Sequence, residues 1–177
     1  SMREVLAALP MTAGFDRQPL VGRCLFRDVA GGRLEVRTPE ITARDTPVVG
    51  PGGLVGRVVA SGRGTSWVEL ITHPAAAVAV QTADGRLQAI AAGTGGDRLE
   101  VNYVPRSAPL VVDTLLTTSG ADGVYPIGIP VATVSHVRER DAAFLEVWAT
   151  PTAVVDSARV VLLLSNVRSG GRSGEPR

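Results

Sequence analysis

The chain has no lysine: all 18 of its basic residues are arginine, against 17 acidic ones, for a net charge of +1. That balance produces no strong field toward nucleic acid or anionic lipid. Lysine-free, Ala-, Val- and Gly-rich composition points to a GC-rich genome more than to a binding function. There is one cysteine, Cys24, so neither an internal disulfide nor a multi-cysteine metal site is available. No apolar run approaches the ~20 residues that span a bilayer. Val160 to Leu164 is far too short, and no signal peptide is expected within these residues. Aromatic residues are scarce at 4% and do not interleave with the scattered arginines, which a solvated surface explains better than a nucleic-acid surface does.

Histidine is scarce too. His73 and His136 are the only candidate bases for a hydrolytic site, with Ser119 and Cys24 as candidate nucleophiles. Ser119 sits between Thr118 and Gly120 in a turn-like setting, where capping or turn hydrogen bonding explains it. Two isolated histidines lack the carboxylate or cysteine pattern of a metal centre. The clusters Gly50-Pro51-Gly52-Gly53 and Gly93-Thr94-Gly95-Gly96 lack the Gly-Lys-Ser/Thr ending of a phosphate loop and read as turns. No catalytic, metal or cofactor residue is expected.

What the chain does have is turn punctuation between short apolar runs. Arg33-Leu34-Glu35-Val36-Arg37 alternates in the manner of a half-buried strand, and the same four letters return at Arg98-Leu99-Glu100-Val101. Further matches follow in order. Asp45-Thr46-Pro47-Val48-Val49 corresponds to Asp113-Thr114-Leu115-Leu116-Thr117, and Gly53-Leu54-Val55 to Gly123-Val124-Tyr125. Gly56 and Val59-Ala60-Ser61 correspond to Gly128 and Val131-Ala132-Thr133, and the run from Val68 to that from Leu145. Five ordered matches imply an internal duplication. Between the units, Ala83-Asp84-Gly85-Arg86 marks a hairpin.

The expected fold is all-β, two small duplicated barrel-like subdomains of about six strands each, with a short N-terminal helix. The expected limits are 1–19 for a helix end and linker, 20–74 for the first barrel, 75–164 for the second with its hairpin, and 165–177 for a disordered tail. In the first segment Val5, Leu6 and Leu9 share a helical face ahead of Pro10, the tail of a helix begun upstream. Thr152 to Ala158 suits a helical turn or two, and Arg159 to Leu164 a buried final strand.

Trp67, Tyr125 and Trp148 are the candidates for a protein interface, because exposed aromatics anchor such contacts. For Trp148, whose face also carries Phe144 and Glu146, structural burial is the favoured alternative.

The stretch from Thr117 to Ala132, T-T-S-G-A-D-G-V-Y-P-I-G-I-P-V-A, resembles the T-S-G-x-x-G-[VI]-[FY]-P-x-G-[IL]-P-V-G signature of the MreC family of rod-shape proteins. Ala132 stands where that family usually has glycine. Gly53-Leu54-Val55-Gly56-Arg57-Val58 resembles its G-L-V-G-[KR]-V segment, and Val68 to His73 its V-x-L-[IL]-T-D, with His73 replacing the acid. The resemblance covers roughly Leu20 to Leu164. It implies a non-enzymatic scaffold of the cell elongation machinery, the extracytoplasmic two-barrel part of a protein with a single-pass anchor in the cytoplasmic membrane. Ser1-Met2 reads as a protease scar, with the membrane segment and coiled coil upstream of it. The implied partners are the elongation penicillin-binding protein, MreD, RodZ and MreB, together with self-association. Two other classes compete: a degenerate two-barrel, chymotrypsin-like hydrolase and a ligand-binding β module.

Overall fold

A computed structural model describes residues 19–165. The expected N-terminal helix, the linker before residue 19 and nearly all of the C-terminal tail lie outside the described residues. Within them the chain is all-β, with twelve strands and no helix. Five strands come first: β1 (Leu20–Asp28), β2 (Arg33–Arg37), β3 (Pro47–Gly50), β4 (Gly53–Ser61) and β5 (Thr65–Leu70). Then follow β6 (Ala77–Gln81), β7 (Gln88–Gly93), β8 (Leu99–Asn102), β9 (Leu115–Thr118), β10 (Pro130–Glu139) and β11 (Leu145–Pro151). The last is β12 (Val160–Leu163).

They close into two barrels, β1-β12-β3-β4-β5-β2 and β10-β11-β8-β7-β6-β9, all neighbours antiparallel. Closure leaves no unpaired edge. Each interior is filled by alternate side chains, as a six-stranded barrel requires. Leu34, Val36, Val48, Val58, Val68, Val161 and Leu163 fill the first, all essentially inaccessible. The second core extends past its own barrel and includes Val49, Leu54, Ile71, Leu162 and Leu164 of the first, so the seam between barrels is apolar.

The expected boundary at 164 is corrected by β12. This strand pairs with β1 and β3, so the last strand of the chain completes the first barrel. Its four residues are apolar, and three of them are buried, a pattern that needs partners on both sides. Those partners are in the first barrel because β6 already fills the corresponding place in the second. Residues 152–158 form bends and a turn rather than the expected helical turn.

The duplication holds strand by strand. Reading round the barrels, β12-β3-β4-β5-β2-β1 matches β6-β9-β10-β11-β8-β7. The registers match as well. Leu34, Glu35 and Val36 face Val68, Trp67 and Ser66; Leu99, Glu100 and Val101 face Ala149, Trp148 and Val147. A β-bulge falls between Val58 and Ala60 on β4 and between Val134 and His136 on β10. The Asp-Thr corners repeat in detail. Asp45 and Asp113 both adopt positive φ, 68° and 74°, a conformation Asp tolerates better than most residues. Their amides donate to Val58 O and Val134 O, each at 2.8 Å, and Thr46 O and Thr114 O accept from the same two valines at 2.9 Å.

This register corrects three of the five sequence matches. Val59-Ala60 align with Ser135-His136 rather than Val131-Ala132, and Val68 with Ala149 rather than Leu145, a slip of four residues in each case. The turn match at Gly53 is displaced too. A slip by an even number leaves the same alternation facing the core, so the apolar pattern is blind to it.

Candidate functional site

The three aromatic candidates end in different surroundings. Tyr125 belongs to the second core, at 6% exposure, while Ile127 two residues on is 55% exposed. The loop that carries them, 119–129, is tied down at several points. Thr118 Oγ1 accepts from Ile129 N at 2.9 Å and donates to Pro126 O, and Gly128 N donates to Thr118 O at 2.8 Å. The Asp122 carboxylate accepts from Ala79 N at 3.0 Å and from Val124 N at 3.1 Å. The glycine- and proline-rich run is thus a fastened loop whose ring is buried.

Burial holds the Tyr125 phenol well above its ordinary value; Arg57 pulls it down, and Asp122, Glu69 and Asp45 push it up. The folded pKa exceeds the unfolded one, so this contribution to stability is complete below about pH 10 and is lost as pH rises further. Urea denaturation between pH 8 and 11 is expected to show that loss, and Tyr125→Phe to flatten it. An equally steep fall in the variant would contradict the assignment.

Trp67 and Trp148 occupy equivalent ladder positions, opposite Glu35 and Glu100. Their surfaces differ. The Arg98 guanidinium lies 4.6 Å from the centroid of the Trp148 ring, a cation–π contact that covers a half-buried indole. Trp67 is 37% exposed, with no arginine stacked on it among the described residues. Its row continues through Glu35 to Phe26 on β1, which is 56% exposed. The sequence reading passed over Phe26. A bulge between Cys24 and Phe26 breaks the alternation there, leaving Leu25 and Phe26 exposed side by side. In the second barrel the corresponding row is Ala92, Glu100, Trp148. The first barrel therefore presents an open Leu25–Phe26–Trp67 patch that the second lacks at the equivalent positions. The exposed aromatics of the second, Tyr103 and Phe144, stand elsewhere and pack edge to face on each other at 6.3 Å.

The residues of a hydrolytic site do not assemble. Ser119 Oγ accepts from Ala121 N at 3.3 Å, a turn hydrogen bond. His73 Nδ1 accepts from Ala75 N at 2.9 Å, and His136 Nε2 accepts from Arg138 Nε at 2.8 Å. Burial raises the Cys24 thiol, with Arg27 opposing, so little thiolate is present at neutral pH. Among the described residues no three His, Cys, Asp or Glu stand where they would share a metal ion. No helix among them is long and apolar enough to cross a membrane.

Comparison with known proteins gives a consistent picture. The family description "Rod shape-determining protein MreC, barrel core" matches residues 40–165. The cell shape-determining protein MreC of Escherichia coli strain K12 is 38% identical over 120 residues, covering 67% of this chain. The chain spans only 33% of that relative's length. The crystal structure of MreC from Pseudomonas aeruginosa is similar with a TM-score of 0.77 and 33% identity, over 83% of this chain and 99% of that one. A chain from a complex between Penicillin-Binding Protein (PBP2) and MreC from Helicobacter pylori shares the fold, with a TM-score of 0.61 at 18% identity, over 81% of this chain and 94% of that one.

Proposed function

This chain belongs to the MreC family, and from that premise we propose that it is the extracytoplasmic, non-enzymatic part of a cell shape-determining scaffold. It acts by position. The barrels hold an apolar patch outside the membrane, and a penicillin-binding protein of the elongation machinery docks on it, which localises or activates peptidoglycan synthesis. An anchor upstream in the whole protein fixes the distance from the bilayer. MreD, RodZ, MreB and further copies of the protein complete the partner set.

The observation that carries this is the difference between two equivalent rows. Leu25, Phe26 and Trp67 stand open on the first barrel, while Arg98 covers the indole at the matching position of the second. Two copies of one fold need the same core, but they do not need the same outer face. Exposed aromatics cost solubility and are the residue types that anchor interfaces. The Helicobacter pylori neighbour, described in complex with a penicillin-binding protein, supports the choice of partner. Among the interface candidates Trp67, Tyr125 and Trp148, the open one is Trp67, and Phe26 joins it.

The test is Phe26→Ser with Trp67→Ser. Affinity for the elongation penicillin-binding protein is expected to fall about 30-fold or more. Phe26→Ser alone, at a ring 56% exposed, should leave the melting temperature within about 3 °C. Trp67, 37% exposed, is part-buried and its loss should lower it further, so affinity is compared at a temperature where each variant is fully folded. Unchanged affinity with an intact fold would remove the patch as the contact.

A further inference from the structure

Beside the open row, the first barrel carries a second feature that protein docking does not account for. Arg23 on β1 and Arg37 on β2 are direct cross-strand partners. Both are exposed, and both line a groove of about 550 Å³ with Arg63, from the β4–β5 turn. Thr38, Thr65 and Val160 form other parts of the wall. Among the described residues no carboxylate lines it. Like charges placed directly opposite on adjacent strands repel and destabilise the pair.

The duplication supplies an internal control. In the second barrel the positions equivalent to Arg23 and Arg37 are Ile90 and Asn102, also direct partners and uncharged. The fold therefore does not require the arginine pair. Three arginines of the second barrel are matched to acids: Arg106 to Glu139 at 3.0 Å, Arg138 to Glu146 at 2.6 Å, Arg140 to Glu100 at 3.7 Å; Arg98 stacks on Trp148. None of Arg23, Arg37 and Arg63 has a carboxylate partner among the described residues.

We propose that this groove binds a multiply charged oxyanion, a phosphate or diphosphate group, either free or borne on a lipid headgroup. Guanidinium groups fit phosphate oxygens in paired hydrogen bonds, and three of them call for more than one negative charge. The bound anion turns the repulsion between Arg23 and Arg37 into a shared attraction. The site adjoins the aromatic row: Arg23, Arg37 and Thr65 form the neighbouring row on the same outer face as Phe26, Glu35 and Trp67.

Inorganic pyrophosphate, titrated at fixed ionic strength, is the first probe. The melting temperature of the 177-residue chain is expected to rise by about 2–4 °C at saturating millimolar concentrations. Arg23→Ile with Arg37→Asn gives the first barrel the pair found in the second. It should melt at or above the wild-type temperature without ligand and lose the rise. Arg63→Gln, in a turn outside the strand ladders, should reduce the rise while leaving the fold untouched. Flotation with phosphatidic acid vesicles, whose phosphomonoester headgroup can carry two negative charges, against phosphatidylcholine, separates the sources. Binding to the former that pyrophosphate displaces identifies a headgroup; a pyrophosphate response without vesicle binding identifies a free phosphate compound. No rise in the wild type, or an equal rise in the double variant, would overturn the site.

Discussion

A chain stopped at Ala158 is expected to lose the first barrel. The deletion removes β12, and with it the pairings of β1 to Leu163, Leu162, Val161 and Val160 and of β3 to Leu162 and Leu163. It also removes Arg159 O, which accepts from Cys24 N at 2.9 Å, and Leu164 N, which donates to Pro47 O at 2.8 Å. Two buried strands become edges, and the first core is opened to water. No ladder of the second barrel is touched, although its core loses Leu162 and Leu164 at the seam. Amide hydrogen exchange should therefore show unprotected β1–β5 beside protected β6–β11. A milder probe is Leu163→Ala, which leaves the backbone in place and empties one fully buried position. It should cost about 2–5 kcal/mol in urea denaturation. Retained protection of β1–β5 in the truncated chain would mean that a five-stranded first barrel is sufficient.

The second large effect is expected at the seam. Gly52 and Gly53 form the β3–β4 turn, with φ of 90° and 148°. A methyl group on Gly52 would sit 2.1 Å from Thr152 O, and one on Gly53 2.3 Å from Pro130 O, both backbone atoms across the seam. Backbone gives way far less readily than a side-chain tip, and positive φ strains any residue with a Cβ. The surrounding contacts are the ones that join the barrels. Thr152 N donates to Val131 O at 3.0 Å, and Val154 N donates to Pro51 O at 2.8 Å. Gly52→Ala with Gly53→Ala is expected to lose about 2–5 kcal/mol. Gly62→Ala is the control, since nothing lies within 4 Å of its added methyl group and its φ is not positive. It should stay within about 0.5 kcal/mol of wild type. Equal effects at the two turns would show that the seam is looser than its distances indicate.

These seam contacts also bear on what could be read from the amino acids alone. Alternation, turn residues and the Arg-Leu-Glu-Val repeat were enough for two all-β units, and that repeat and the Asp-Thr corner align correctly in the ladders. Both carry features tied to one place in the fold: charges beside the core, and an acid at positive φ. The Val- and Ala-rich strands carry no such mark, and there the match slipped. The ownership of β12 was equally hidden, because apolar letters say that a strand is buried but not which barrel buries it. Phe26 was missed because its exposure comes from a bulge, a backbone event with no letter of its own. Tyr125 was legible as an aromatic held by a turn, but whether the ring points in or out is set by the fastening of Thr118 and Asp122.

The return of the chain to its starting strand has a consequence for the order of folding. Domains generally fold as units, N-terminal first as the chain emerges, and an extracytoplasmic domain emerges on the far side of the membrane. Here the second barrel has all its strands before the first does. All six strands of the second barrel are available once residue 151 has emerged, while the first still waits for Val160–Leu163. Residues 20–70 therefore remain an incomplete sheet while the second barrel emerges, with β1 and β3 lacking the partner that belongs between them. The inner unit closes first, and its completion delivers the last strand of the outer one to the place where Leu20 meets Leu163.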